Sequence, residues 1–388
     1  MKKVTVQDIN EYVGTSINPL TTPDIEYELY SVPSYENRYP EIIKGSDIGS
    51  TKVTVEENDI LVCKINPRIN RVWVVEHHTE HTLIASSEWV IIRSKSNNSR
   101  YLMYYFQSPV FRNYINSELT GIGGSLTRAQ PKQIAKYPVP LPPLETQKQI
   151  AANLDKVTRT IDICNAILEN LDLLVKARFV EMFGDLADPD CKWDKRMLVD
   201  VCENPDDIKC GPFGTQLGKG DYTECGIAVW EIPQINSEFK TTPTHFITSE
   251  KAIELDPFSI KPGDIAMSRK GNVGRCAVFP DTFESGIIHS DVLRIRVNNK
   301  VAIPEFMMRQ LHYSGDVQHQ IQIVSSGAIM AGINVTKLKQ IFVYIPPLAL
   351  QEQFAAFVAQ TDKSKVAVQN ILAKAETLKK ALMQEYFG

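Results

Sequence analysis

One segment of this chain is written twice. The first copy opens at Pro142-Pro143-Leu144 and closes at Glu181-Met182-Phe183-Gly184. The second opens at Pro346-Pro347-Leu348 and closes at Glu385-Tyr386-Phe387-Gly388, each position 204 residues after its counterpart. Gln147, Gln149, Ala151 and Ala152 recur as Gln351, Gln353, Ala355 and Ala356, and Leu174, Lys176 and Ala177 recur as Leu378, Lys380 and Ala381. A period this long does not fit a solenoid, whose repeats run to a few tens of residues. It implies a globular unit followed by a helix, made twice.

In the first copy Ile150, Leu154, Val157, Ile161, Cys164, Leu168, Leu171 and Val175 alternate steps of four and three. That spacing places them on one narrow helix face. No Pro or Gly interrupts residues 145–182, so the helix would be about 55 Å long. The second copy carries Phe354, Val358, Val368 and Leu372 on the same seam, together with Thr361, Lys365 and Lys379. Its lower half is expected to turn toward Ile371, Leu378 and Leu382. Two ordinary bundle helices would also suit such stripes. Two long antiparallel, coiled-coil-like helices acting as a spacer suit them better.

The expected fold class is α+β: two globular α/β domains in tandem, separated by these helices, with quasi-twofold character. The domains run over residues 1–142 and 185–345, and the helices over 143–184 and 346–388. Strands are expected at 27–32, 52–55, 59–64, 72–75 and 89–93, and at 229–235, 264–268 and 292–297. Residues 100–118 hold Tyr, Phe and Met at helical spacing, read as core packing. The chain has 388 residues, 43% hydrophobic and 23% charged, as in soluble globular proteins. No apolar run reaches membrane-spanning length, and the first residues lack the apolar core of a signal peptide. Seven cysteines without a C-x-x-C pair suit reduced thiols. A cytoplasmic protein is expected, with no membrane association.

The net charge of −4 conceals an asymmetry. Residues 1–63 hold 5 Lys/Arg against 11 Asp/Glu, and residues 64–142 hold 10 against 4. Residues 185–268 hold 8 against 16, and residues 269–345 hold 9 against 5. Each unit is acidic in front and basic behind, and a localised positive face can bind phosphates on an acidic protein. The basic halves begin at corresponding loops. One is Lys64-Ile65-Asn66-Pro67-Arg68-Ile69-Asn70-Arg71; the other is Arg269-Lys270-Gly271-Asn272-Val273-Gly274-Arg275. A second Gly- or Asn-bearing loop follows in each unit, at 121–130 and at 327–334. Arg and Asn are the side chains that bond guanine and adenine edges in pairs.

Chemistry-bearing motifs are missing. No Asn-Pro-Pro-aromatic motif for amino-group methylation is present, and Asn204-Pro205-Asp206 fails at its third place. The stretch 209–220 has Phe213 where a phosphate-binding loop needs its first Gly, and Gly220 where it needs Ser or Thr. His77, His78 and His81 lack a completing ligand spacing and read as a solvated turn. Pro189-Asp190 with Asp194-Lys195 reads as an exposed linker rather than a metal-nuclease carboxylate cluster.

Two variable units, each closed by P-P-L-x-x-Q-x-Q and a long helix ending E-x-F-G, resemble the specificity subunit of type I restriction–modification systems over essentially the whole chain. The stretch 59–75 resembles one type of target-recognition domain, and 211–217 with 262–265 another. The resemblance implies two target-recognition domains, each reading one half of a bipartite site in double-stranded DNA, with helices that set the unread spacer. It implies two modification (methyltransferase) subunits that carry S-adenosylmethionine and dock on the helices. It also implies two restriction (translocase/nuclease) subunits that use ATP and Mg. The chain itself would bind no cofactor or metal and carry no catalytic residue. Loop chemistry and repeat position select Lys64, Asn66, Arg68, Asn70, Arg71, Arg128 and Gln130 as DNA-binding residues in the first domain. In the second they select Gln216, Lys219, Arg269, Lys270, Asn272, Arg275 and Asn334. The competing expectations are a two-domain coiled-coil scaffold that binds proteins, and a fused enzyme.

Overall fold

The repeated segment forms two helices of equal length. In the computed structural model, which describes residues 3–117, 127–186, 188, 190–325 and 332–388, Leu144–Phe183 and Leu348–Phe387 are each one α-helix of 40 residues, about 60 Å long. The first stops at Gly184, whose φ of +77° is a left-handed helix cap. Among the described residues no helix is long and apolar enough to cross a membrane.

The chain divides into two compact units: 1–166 with 369–388, and 167–368. Each long helix therefore begins in one unit and ends in the other. Inside the first unit, Asn153 Nδ2 donates to the Tyr386 hydroxyl at 3.1 Å, and Leu154 shares a core with Phe387. Inside the second, Phe179 meets Phe354 at 5.5 Å between ring centres, and Lys365 Nζ reaches Asp172 at 2.7 Å. In both units the paired halves run antiparallel.

The heptad face of the first helix is its covered face throughout: Ile150, Leu154, Cys164 and Val175 are buried, and the positions between them are half-buried. The second helix corrects the expected turn of its seam. Ile371 and Leu378 are 51% and 49% exposed. The covered line continues through Thr361, Lys365, Val368, Leu372, Ala375, Lys379 and Leu382, so heptad geometry holds even where the side chain is a lysine.

The Gln of the repeated motif explains why the motif persists. Gln147 Oε1 accepts the backbone N–H of Asn98 at 2.9 Å, while its Nε2 donates to the Pro142 carbonyl at 3.0 Å. Gln351 does the same with Ile303 N–H at 2.9 Å and the Pro346 carbonyl at 2.8 Å. Both amides are buried and satisfy backbone groups that water cannot reach.

Each unit has a central antiparallel sheet, a five-stranded sheet and a two-stranded one. The first unit's central sheet orders Val72–Val74, Ile60–Cys63 and Trp89–Ile92; the second orders Ile208–Cys210, Val292–Ile295, Ile265–Ser268 and Cys276–Val278. The middle strand in each case is buried along its whole length, as its apolar run implies. Helices Ser99–Gln107 and Pro304–Tyr313 cover these sheets, burying Tyr101, Tyr104 and Phe106 in one case and Met307, Met308 and Leu311 in the other.

Two local expectations are corrected. Residues 229–235 are not one strand. Ile227–Trp230 is a strand and Ile232–Asn236 a helix, because Pro233 cannot donate to a ladder but suits a first helical turn. Asp194 and Lys195 do not lie in a linker; they belong to strand Asp194–Met197, opposite Ile345 and Tyr344. Pro189 lies outside the described residues.

Candidate nucleic-acid interface

In each unit the basic first loop and the second loop, far apart in sequence, meet at one end of the central sheet. Lys64 follows the middle strand of the first unit. Its N–H donates to the Glu88 carbonyl and its carbonyl accepts from Ala129 N–H, each at 2.9 Å. Asn66 N–H donates to the Thr127 carbonyl at 3.0 Å, and Ile65 bridges Arg128. Arg269 holds the same place in the second unit. Its N–H donates to the Asp291 carbonyl at 2.8 Å and its carbonyl accepts from Ile333 N–H at 3.1 Å. One backbone ladder therefore carries both edges. Residues 121–126 and 327–331 of the second loops lie outside the described residues.

The side chains on this common ladder differ. In the first unit the sheet-end carboxylate is Glu88, paired at 2.9 Å with Arg128 from the second loop. In the second unit it is Asp291, paired at 2.8 Å with Lys270 from the first loop. Lys64 Nζ donates to the Ser87 carbonyl. Asn66 and Asn70 have φ of +48° and +52°, a left-handed conformation that Asn tolerates in turns. Arg68 is exposed and makes no ion pair with any described residue, and Gln130 is exposed ahead of helix Pro131–Lys136.

Several selected side chains are already engaged by the protein. Asn70 points inward: its Nδ2 donates to the Phe106 carbonyl at 2.9 Å and its Oδ1 is buried. Arg71 is bound to Glu36 at 3.0 Å and only 16% exposed. In the second unit Gln216 Oε1 accepts Phe213 N–H at 3.1 Å, and Asn334 caps helix Val335–Lys339 by accepting Lys337 N–H at 3.2 Å. Arg275 is paired with Glu238 at 2.9 Å. Asn272 is exposed at the turn, its carbonyl accepting Arg275 N–H. Lys219 is exposed and makes no ion pair with any described residue.

Four further residues, three exposed cations and one aromatic ring, were not selected from the sequence. Arg112, Lys132 and Lys136 are exposed and make no ion pair with a described residue. They sit on helices Pro109–Ser117 and Pro131–Lys136, tied together where the Tyr114 hydroxyl donates to the Gln133 carbonyl at 3.2 Å. The signal for Lys132 and Lys136 was their four-residue spacing, one helix face, right after the second loop. Phe213, 49% exposed, lies against the Arg269 guanidinium at 4.9 Å.

Behind the second unit's first loop, Cys276 N–H donates to His312 Nε2 at 3.1 Å. Burial, reinforced by the Arg275 and Arg309 charges, drives His312 down to about 4. Burial pushes the Cys276 thiol up to about 12. A neutral imidazole beside an un-ionised thiol is a packing pair, with no nucleophile in it. Among the described residues no three His, Cys, Asp or Glu side chains gather as metal ligands.

The model of the type I restriction modification DNA specificity domain matches this chain twice, over residues 1–173 and 191–377. The chain belongs to this family. It is 23% identical over 321 residues to the type I restriction enzyme EcoBI specificity subunit of Escherichia coli, covering 76% of this chain and 66% of that protein. It is 24% identical over 332 residues to the putative type I restriction enzyme MjaX specificity subunit of Methanocaldococcus jannaschii, covering 82% and 74%. The chain thus spans about two thirds to three quarters of the length of these relatives. The fold is shared with the type I restriction–modification S subunit from M. genitalium, at a TM-score of 0.61 and 13% identity over 100% of this chain and 96% of that one. It is shared too with a chain from a structure of type I R-M system assembly and conformational transition, at 0.55 and 17% over 100% and 97%. In this specificity family the twofold domain match agrees with the twofold ladder.

Proposed function

We propose that this chain is the DNA-reading subunit of a type I restriction–modification complex. Each unit reads one half of a bipartite, asymmetric site, and the two continuous helices set the unread gap and dock the methyltransferase subunits. The chain performs no chemistry. Adenine methylation and cleavage belong to modification and restriction subunits, which supply S-adenosylmethionine, ATP and Mg.

One observation carries this reading: the two units hold the same loop pair on the same backbone ladder and equip it with different side chains. A reader of two unrelated half-sites needs a constant frame and a variable edge. Exposed cations that make no ion pair with a described residue, such as Arg68, Lys132 and Lys219, would meet phosphates and fix register. The hydrogen-bonding loops would face base edges.

The test is selection from a random duplex pool at near-physiological salt, using the chain co-purified with its modification subunit. Two short fixed motifs separated by a constant gap are expected. Arg68→Ala should lower the salt slope of log K by about one, with little change in sequence preference. An intact complex that enriches no motif overturns the reading and favours a protein-binding scaffold.

A further inference from the structure

The second unit's central sheet has a strand for which the first unit's central sheet has no counterpart among the described residues. Ile208–Cys210 pairs with Val292–Ile295 and delivers the loop 211–217 to the same sheet end as Arg269. The loop is tightly fixed. Gly211 N–H donates to the Val292 carbonyl at 3.1 Å, and a Cβ on Gly211 would meet the His289 carbonyl oxygen at 2.2 Å. Pro212 is buried. Gly214 has a φ of +60°, which favours glycine. Gln216 then returns to hold Phe213 N–H.

This machinery presents one large apolar side chain to solvent. Phe213 is 49% exposed at the sheet end of its own unit that carries Arg269 and Lys270. One ring face is taken by the Arg269 guanidinium, which donates to the Ile333 carbonyl at 3.2 Å and the Ser290 carbonyl at 3.5 Å. A wedge inserts deeply between base steps; with one face already held by a guanidinium, Phe213 is better placed for a contact at the edge of a base. The free face and edge suit an apolar contact with a base edge. In the major groove the apolar feature on offer is the thymine 5-methyl group.

We propose that Phe213 is a specificity-determining residue that reads a thymine methyl group in the half-site of the second unit, with Gln216 and Arg269 as positioning residues. The inference rests on the DNA-reading function above. The experiment uses the complex with its modification subunit and the site it selects. Each thymine of the half-site is replaced singly by uracil, which deletes the methyl group, and affinity is measured for the wild type and for Phe213→Ala.

At one position uracil should weaken wild-type binding about fourfold, the worth of burying one methyl group. Phe213→Ala should bind the thymine duplex as weakly as the wild type binds the uracil duplex there, and show no further loss with uracil. Its salt slope should be unchanged, since no phosphate contact is removed. Uracil insensitivity of the wild type at every position, a half-site without thymine, or full uracil sensitivity in Phe213→Ala overturns the proposal. Failure of the wild type to select any site overturns the function beneath it instead.

Discussion

In the first unit the Asp59 carboxylate, fully buried, accepts Arg93 through Nε and Nη2 at 2.7 Å each and the Glu56 N–H at 2.9 Å. In the second, Asp264 accepts Arg296 through the same two nitrogens at 2.7 Å each and the Lys261 N–H at 2.9 Å. The two forks match atom for atom, although the sequences around them share little. A few tens of residues further along each chain, the match is gone. Arg128 answers Glu88 in one unit, Lys270 answers Asp291 in the other, and Phe213 has no counterpart among the described residues of the first. Groups whose removal would leave a buried charge are held constant. Groups at the solvent end of the same strands are free to change. That division is what the proposed reading of two unlike half-sites requires.

The forks give the largest predicted effect. Asp264→Ala leaves Arg296 without its carboxylate, which should cost about 3–5 kcal/mol. Asp59→Ala should cost less, because Arg93 keeps a second partner, Glu56 at 2.7 Å. Peptide-resolved hydrogen exchange would report both losses, each confined to its own central sheet. Equal losses would show that the exposed Glu56 contributes nothing to holding Arg93.

A second difference lies behind the sheets. Helix Pro304–Tyr313 ends with His312 over Cys276, and helix Ser99–Gln107 ends with the fully buried Phe106 before its own capping serine. His312 is depressed to about 4 from its ordinary value of 6.5, chiefly by burial. The unfolded chain therefore binds the proton first as pH falls. The contribution is fully present above about 6.5 and is lost as pH drops toward 4, amounting to roughly 3 kcal/mol at most. Replacing His312 with Gln should flatten the acid limb of the second unit's stability and leave the first unit's unchanged. Hydrogen exchange measured from pH 7 to 4 checks this, and an unchanged acid limb in the variant would refute it.

How much of this was legible in the sequence depends on the range of each interaction. The helices were legible because their pattern is local: a gapless repeat, heptad steps and no breaker. The strand-to-loop junctions at Cys63–Lys64 and Ser268–Arg269 were legible because an apolar run turns abruptly cationic. What was hidden is long-range. Arg71 looks free until Glu36 arrives from another segment, and Arg275 until Glu238 does. Asn70 looks like a base reader, yet the Phe106 carbonyl claims its amide. Spacing within one loop cannot show which side chains the rest of the fold has already engaged. Phe213 was visible as a letter, but its exposure depends on the strand that delivers it.

The smallest predicted effect compares the two lysines in the second helix's seam. Lys365, in the second unit, is covered but paired with Asp172 at 2.7 Å and Asp362 at 3.3 Å. Burial alone would lower it, and these carboxylates more than compensate, so its pKa is raised. Lys379, in the first unit, is half-buried and makes no ion pair with a described residue; burial lowers its pKa against the weaker pull of Asp162. A lysine depressed in the folded state destabilises it at neutral pH, where the side chain must stay charged, and stability returns only as pH rises through the folded pKa. Lys379→Met should therefore stabilise the first unit by about 1 kcal/mol at pH 7, with the gain shrinking in alkali. Lys365→Met should change the second unit by less than about 0.5 kcal/mol, since the carboxylates it frees are exposed and rehydrate. Thermal unfolding of the two variants side by side decides the matter: equal shifts would mean that the ion pairs, rather than burial, are irrelevant to how the seam tolerates charge.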